Sequence, residues 1–162
     1  MLDEQRSQTF ATSSRYDEDF YAWTQYQAMI LRGVQCPGSL DALNLAEEIE
    51  DLGKSQRREL RSRLRVLVMH LLKWRYQSEG RIDSHSWEDT IREQRKEIED
   101  ALEESPSLKQ EVSPYILKDY DYAKDRAARQ TRLRPETFPD TCPWTAEQVL
   151  DAHFWPEAKA SN

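Results

Sequence analysis

The feature that most constrains this chain is an unbroken stretch of thirty-seven residues, Leu40 to Tyr76, that contains no proline. At 100° per residue, Leu45, Ala46, Ile49, Leu52, Gly53, Leu60, Leu64, Leu67, Leu71 and Trp74 fall within an arc of about 120°, the width of a stripe that faces a core. That period predicts one long helix, bent if anything. Gly53 costs roughly 1 kcal/mol relative to alanine inside a helix, so a break there into two helices is the alternative. Its place within the apolar stripe also fits a point where another helix approaches closely.

The flanking segments read the same way. Tyr16, Phe20, Trp23, Gln27 and Ile30 recur every three or four residues and Gly33 closes the pattern, which predicts an amphipathic helix over about 17–32. "CPGS" is a loop whose Ser39 is a good N-cap for the long helix. "QSEGRIDSHS" is a turn, with Gly80 as the stop and Ser84 or Ser86 as the next cap. Trp87, Ile91, Gln94, Ile98 and Leu102 form a narrow stripe over about 86–104. A fourth helical region, about 107–131, carries Leu108, Val112, Tyr115, Ile116, Tyr120, Ala123 and Ala127, and Pro114 either kinks it or starts it afresh. Three prolines make "RLRPETFPDTCPW" extended. Thr145 and Gln148 read as a capping box for a last short helix at 146–153, and "HFWP" should dock its two aromatics on the rest. No β-branched alternation and no Asn-Gly or Asp-Gly turn is present, so the expected fold is an all-α helical bundle. We expect one domain over 15–156, with 1–14 a mobile arm and 157–162 a loose tail.

Composition narrows the class of function. A 162-residue chain is the size of one ordinary domain, and sixteen aromatics with a net charge of only -7 argue against wholesale disorder. The acidic balance gives no general attraction to nucleic acid or anionic lipid. No segment approaches the ~18 apolar residues of a membrane span, and the first residues do not resemble a signal peptide, so a cytoplasmic protein is expected. Cys36 and Cys142 stand 106 residues apart without a CxxC partner, which reads as two structural thiols in a reducing compartment.

The long helix carries the one cluster that resembles a site. In "LAEEIEDLGK", Glu47 and Glu50 at i and i+3 can reach one ligand from one face, and paired glutamates with a histidine build metal sites in helical bundles. His70 is the nearest histidine downstream, but it lies about 140–160° round the helix from them and about 30 Å along it from Glu50. With no HExxH and no Glu-x-x-His, neither a metal nor a cofactor is expected; a metal, if held, would use Glu47 and Glu50. The structural reading is that Glu47, Glu48 and Asp51 are solvated, that Glu50 sits at the rim of the apolar stripe, and that Arg92 or Arg95 neutralises it. His70 reads as a partly buried histidine satisfied by a backbone or tyrosine group, and Lys73 as a surface lysine. The run "KSQRRELRSRLR" places five arginines in nine positions from Arg57 to Arg65, yet Glu59 interrupts it and no aromatics interleave for base stacking. Nucleic acid is therefore not the expected partner. Tyr115, Tyr120 and Tyr122 run round the fourth helix in greater number than one core face can bury, and Trp144 sits in an aromatic loop. Surplus tyrosine and tryptophan are the anchors of protein interfaces, although they could equally cap this chain's own bundle.

The quoted motifs also carry a family resemblance. "LAEEIEDLGK", "HLLKW", "SWEDTI", "SPSL" and "FPDTCPW", in this order and at this spacing, resemble the bacterial domain of unknown function family 29, seen in cyanobacteria and proteobacteria. The likeness runs from "YDEDFYAW" to "HFWP"; where members often have Tyr, this chain has Trp144. It implies an all-α bacterial protein and transfers no catalytic residue. The expected function is a non-catalytic protein-interaction or regulatory module, associating with a protein partner or with itself and leaving an aromatic patch exposed. The alternatives are a metal-assisted hydrolase or nuclease built on Glu47 and Glu50, and nucleic-acid binding through Arg57 to Arg65.

Overall fold

The computed structural model describes residues 16–33, 40–77 and 85–158. Among them there is helix and no strand: α1 (Phe20–Gly33), α2 (Ala42–Tyr76), α3 (His85–Glu104), α4 (Lys109–Thr131) and α5 (Ala146–Leu150), with single 3-10 turns at Pro106–Leu108 and Pro135–Thr137. The all-α bundle expected from the periodicity is what forms. Cys36, the arm expected at 1–14, the caps expected at Ser39 and Ser84 and the stop expected at Gly80 lie outside the described residues, as does the end of the expected tail.

Local signals explain the ends. Asp19 caps α1, its Oδ1 accepting the N–H of Ala22 at 2.8 Å. Asp41 caps α2 by accepting the N–H of Asn44 at 3.3 Å, each satisfying a donor that the helix leaves orphaned. Pro114 lies within the second turn of α4 and the helix runs through it. Thr145 and Gln148 form the reciprocal capping box of α5, whose regular part stops at Leu150, three residues earlier than expected. Gly53 does not break α2, which is one helix of 35 residues.

The chain divides into two compact units, one of residues up to Glu59 together with Ala101–Lys109, the other of Leu60–Asp100 and Gln110 onward. In the first unit, Gly53 is the point of closest approach. A Cβ there would collide with Thr24 Oγ1 and lie 2.9 Å from Gln25 Nε2, so the absent side chain is what lets α1 seat against α2. Ser105, fully buried, accepts the Tyr21 N–H at 3.1 Å and donates to Gln56 at 2.7 Å. Asp19 uses its carboxylate a second time, holding the backbone and hydroxyl of Ser107 at 2.6 and 2.9 Å. Leu45 and Leu52, expected in the core stripe, are 41% and 52% exposed. This corrects the wheel, and the reason is that α2 meets one long helix here and leaves that flank to solvent.

In the second unit the same helix is covered on more than one side. Leu60, Leu64, Leu67, Leu71 and Leu72 are buried, with Ile91 and Ile98 of α3 and Val112, Ile116, Ala123 and Ala127 of α4. Lys73, expected at the surface, is only 6% exposed. Its ammonium lies 4.4 Å from the centre of the Trp87 ring on α3 and donates to Gln130 of α4 at 2.9 Å, because helices stand on both flanks of α2 at this level. The C-terminal aromatics dock as expected, Trp155 on Trp74 at 4.8 Å and Phe154 on Trp144 at 6.4 Å.

Candidate functional site

The acid cluster on α2 resolves into ordinary surface electrostatics. Glu47 is exposed. Glu50 accepts from Arg32 of α1 and from Lys54 one turn on, and the Arg32 hydrogen bond is the main reason its carboxyl sits below the usual range. Lys54 also pairs with Asp51 at 3.0 Å. Arg32 therefore takes the role assigned in the sequence to Arg92 or Arg95: Glu50 was rightly expected to need a cation, but the first helix supplies it. Among the described residues no three His, Cys, Asp or Glu side chains gather as a metal would require, and a glutamate already engaged by two cations is a poor donor.

The other candidates lie in the second unit. His70 donates from Nδ1 to the Val66 carbonyl at 2.8 Å, and burial, with Lys73 nearby, pushes its pKa down, so it is a neutral, satisfied side chain. Arg92 pairs with Glu88 at 2.8 Å and covers the Trp155 ring at 5.1 Å. Arg95 is 5% exposed and donates to the carbonyls of Val149 and Phe154 at 2.9 and 2.8 Å. It fastens the C-terminal segment to α3 as a structural clasp. Tyr120 and Trp144, proposed as interface anchors, are buried within the chain, and Tyr120 donates to the Pro139 carbonyl at 2.9 Å. Their rings serve the fold, which corrects the expectation that they stand free for a partner.

What remains is a surface that the sequence only hinted at. Asp119 of α4 is buried and accepts two guanidinium forks from α2: Arg61 at 2.5 and 2.6 Å, Arg65 at 2.9 and 3.1 Å. The Arg61 hydrogen bonds are the largest cause holding its carboxyl at about 2; charge-assisted forks of this kind are short and directional. One face of each arginine lies against a tyrosine of α4, Arg61 5.7 Å from the Tyr115 ring centre and Arg65 4.9 Å from that of Tyr122. Arg126 covers Tyr122 at 5.8 Å, and that ring contact is the one interaction its side chain makes among the described residues. Tyr122 itself is 49% exposed. Between these groups opens a recess of about 90 Å³, lined by Ser62, Arg65, Val66, Met69, Tyr122, Ala123 and Arg126.

Neither Asp119 nor Arg126 is a candidate on sequence grounds: Asp119 becomes significant only through partners 54 and 58 residues away, and Arg126 only through the recess that Ser62 and Arg65 of α2 help to line. One signal was present: Asp119 sits three residues after Ile116 and four before Ala123, on the rim of the apolar stripe, where a carboxylate requires a cation.

Fold and site together describe an all-α protein in which a buried aspartate holds two arginines against tyrosines of a neighbouring helix. The chain belongs to the family described as Domain of unknown function DUF29, which matches residues 15–155. It is similar to an alpha-helical protein of unknown function from Rhodospirillum rubrum ATCC 11170 solved by crystallography, with 25% identity over 86% of this chain and 90% of that one and a TM-score of 0.69. No curated protein matches it. No helix among the described residues is long and apolar enough to cross a membrane.

Proposed function

We propose that the protein is a non-catalytic helical module of the bacterial cytoplasm that works by associating with a protein partner through the arginine–tyrosine surface of its second unit. The observation that carries this reading is Tyr122, half-exposed between the guanidiniums of Arg65 and Arg126. Tyrosine and arginine are the side chains that most often dominate interface energies, and Asp119 already holds Arg65 in place, so little side-chain entropy is left to lose on binding. Excess positive charge on this face of an acidic protein fits an acidic partner segment.

A fluorescent, glutamate-rich dodecapeptide titrated into the full chain tests this by anisotropy. Saturable binding that weakens about tenfold or more in Tyr122→Ala, a loss of about 1.4 kcal/mol, is the expected outcome; binding indifferent to that substitution sinks the reading. Nucleic acid is the second reading, favoured by the stacking of Tyr115 and Tyr122 on Arg61 and Arg65, which supplies in three dimensions the aromatics that the basic run lacks in one. A single-stranded oligonucleotide in the same assay would then bind in preference to the peptide, with affinity falling steeply as salt rises.

A further inference from the structure

The recess beside Tyr122 is too small for a metabolite and of the wrong polarity to be a mere packing defect. At about 90 Å³ it falls well short of small-molecule and cofactor sites, which run to roughly 300–1,000 Å³. It has room for one chemical group. Val66, Met69 and Ala123 give it an apolar lining, and two guanidiniums and the Ser62 hydroxyl give it donors.

Charge decides which group. Three guanidiniums, of Arg61, Arg65 and Arg126, are set against the single carboxylate of Asp119, a net charge of two positive: Arg61 and Arg65 share that one anion, and Arg126 pairs with none among the described residues. Arg65 spends its Nε and Nη2 on Asp119 and keeps Nη1 for another acceptor. Arg126 has its whole fork available. The neighbouring Asp125 is already bound to Arg129 at 3.0 Å and does not neutralise it. A carboxylate would compensate one of the two charges. A phosphomonoester carries about -1.5 to -2 at neutral pH and offers three acceptor oxygens, and guanidinium forks match its geometry.

We propose that this recess receives a single phosphoryl group borne on a side chain of a polypeptide partner, held by Arg65 and Arg126 with Ser62 beside them. The proposal rests on the association reading above and specifies what the partner presents. Asp119 acts here as a positioning residue: it fixes Arg65 at the recess without touching the phosphoryl group.

The experiment uses the full chain and three versions of one acidic peptide, with phosphoserine, serine or glutamate at its central position, and inorganic phosphate as competitor. The phosphoserine peptide should bind at least tenfold more tightly than the serine peptide, with the glutamate peptide between them. Arg126→Gln should abolish that ratio, as should Ser62→Glu, which places a negative charge at the recess. Lys96→Gln, on a surface cation of α3 that pairs with Glu99 and Asp100 and does not line the recess, should preserve it. Arg126 makes no ion pair among the described residues, so its variant should melt with the parent. Equal binding of the serine and phosphoserine peptides overturns the phosphoryl proposal while leaving association intact; no binding of any peptide overturns both. Displacement by inorganic phosphate at concentrations comparable to the phosphopeptide overturns the polypeptide-borne source in favour of the free ion.

Discussion

The two halves of α2 carry the same apolar repeat and meet different fates. Between Ala42 and Glu59 the helix packs against α1, and leucines at the edge of its stripe, Leu45 and Leu52, remain in contact with water. Between Leu60 and Tyr76 it lies among α3 and α4, and even a lysine at the edge, Lys73, is taken out of water. A helical stripe of given width therefore does not determine burial. The number of neighbouring helices does, and that number belongs to the tertiary arrangement.

The largest expected effect tests this contrast directly. Leu71→Ala, at a fully buried position, should cost about 2–5 kcal/mol through lost transfer energy and a residual cavity. Leu52→Ala removes the same atoms from a position half in solvent and should cost less than about 1 kcal/mol. Urea denaturation of the two variants measures both. Comparable losses would mean that the upstream flank is covered in solution, and the contrast between the halves would fail.

The carboxylates repeat the pattern. Glu50 in the first unit is exposed enough for its ion pairs with Arg32 and Lys54 to be screened, and Glu50→Gln should leave the unfolding midpoint unmoved within error. Asp119 in the second unit has its carboxyl held at about 2 against an ordinary 3.8, a difference that corresponds to about 2 kcal/mol of linkage at neutral pH. Because the folded-state pKa is the lower one, that stability is complete above about pH 4 and is lost as pH falls towards 2. Asp119→Asn should lower stability by a similar amount at pH 7 and flatten the acid limb between pH 4 and 2; an unchanged acid limb would show that the paired arginines add nothing.

What was legible in the sequence follows from the range of the interactions concerned. The helices and the Thr145–Gln148 box are set by spacings of two to four residues, and each appears close to where the pattern placed it; the proline segment is free of α-helix as expected but takes a 3-10 turn at Pro135–Thr137 instead of staying extended throughout. Glu50 was legible as a carboxylate in need of a cation, because the wheel shows the stripe's rim. Arg32 was not, since the identity of the partner depends on which helix packs alongside. The candidate site is still less local: Arg61 and Arg65 meet Asp119 across 58 and 54 residues, and Tyr122 gains Arg65 only when α4 lies against α2, Arg126 being its neighbour one turn along α4. Tyr120 and Trp144 show the converse, surplus aromatics by count that the fold absorbs.

Gly53 sharpens the description of the first unit. In an exposed helix, glycine to alanine gains up to about 1 kcal/mol. Here the new methyl would meet Thr24 Oγ1, which is itself fixed by donating to the Tyr21 carbonyl at 2.7 Å, and overpacking costs about 1–3 kcal/mol. Gly53→Ala should therefore destabilise the protein by about 1 kcal/mol net, read as a lowered urea midpoint. A gain in stability would show that α1 yields easily and that the first unit is looser than its contacts imply.

Lys73 provides the finest test of the second unit's crowding. Burial lowers its pKa, so the folded state binds the proton less tightly than the unfolded chain does, and stability must rise with pH from the depressed folded value towards the unfolded value near 10.5. Lys73→Met removes the desolvated charge while keeping a flexible apolar stem; it forfeits the Gln130 hydrogen bond and the cation–π contact with Trp87, each worth about 1 kcal/mol. These terms oppose one another, and Gln130 is exposed and can turn to water, so at neutral pH the variant should lie within about 1 kcal/mol of the parent. The discriminating quantity is the slope: the parent should gain stability relative to the variant as pH rises from the depressed folded value towards 10.5. Parallel pH profiles would mean that the ammonium reaches solvent, and that the flank of α2 in the second unit is no more closed than its flank in the first.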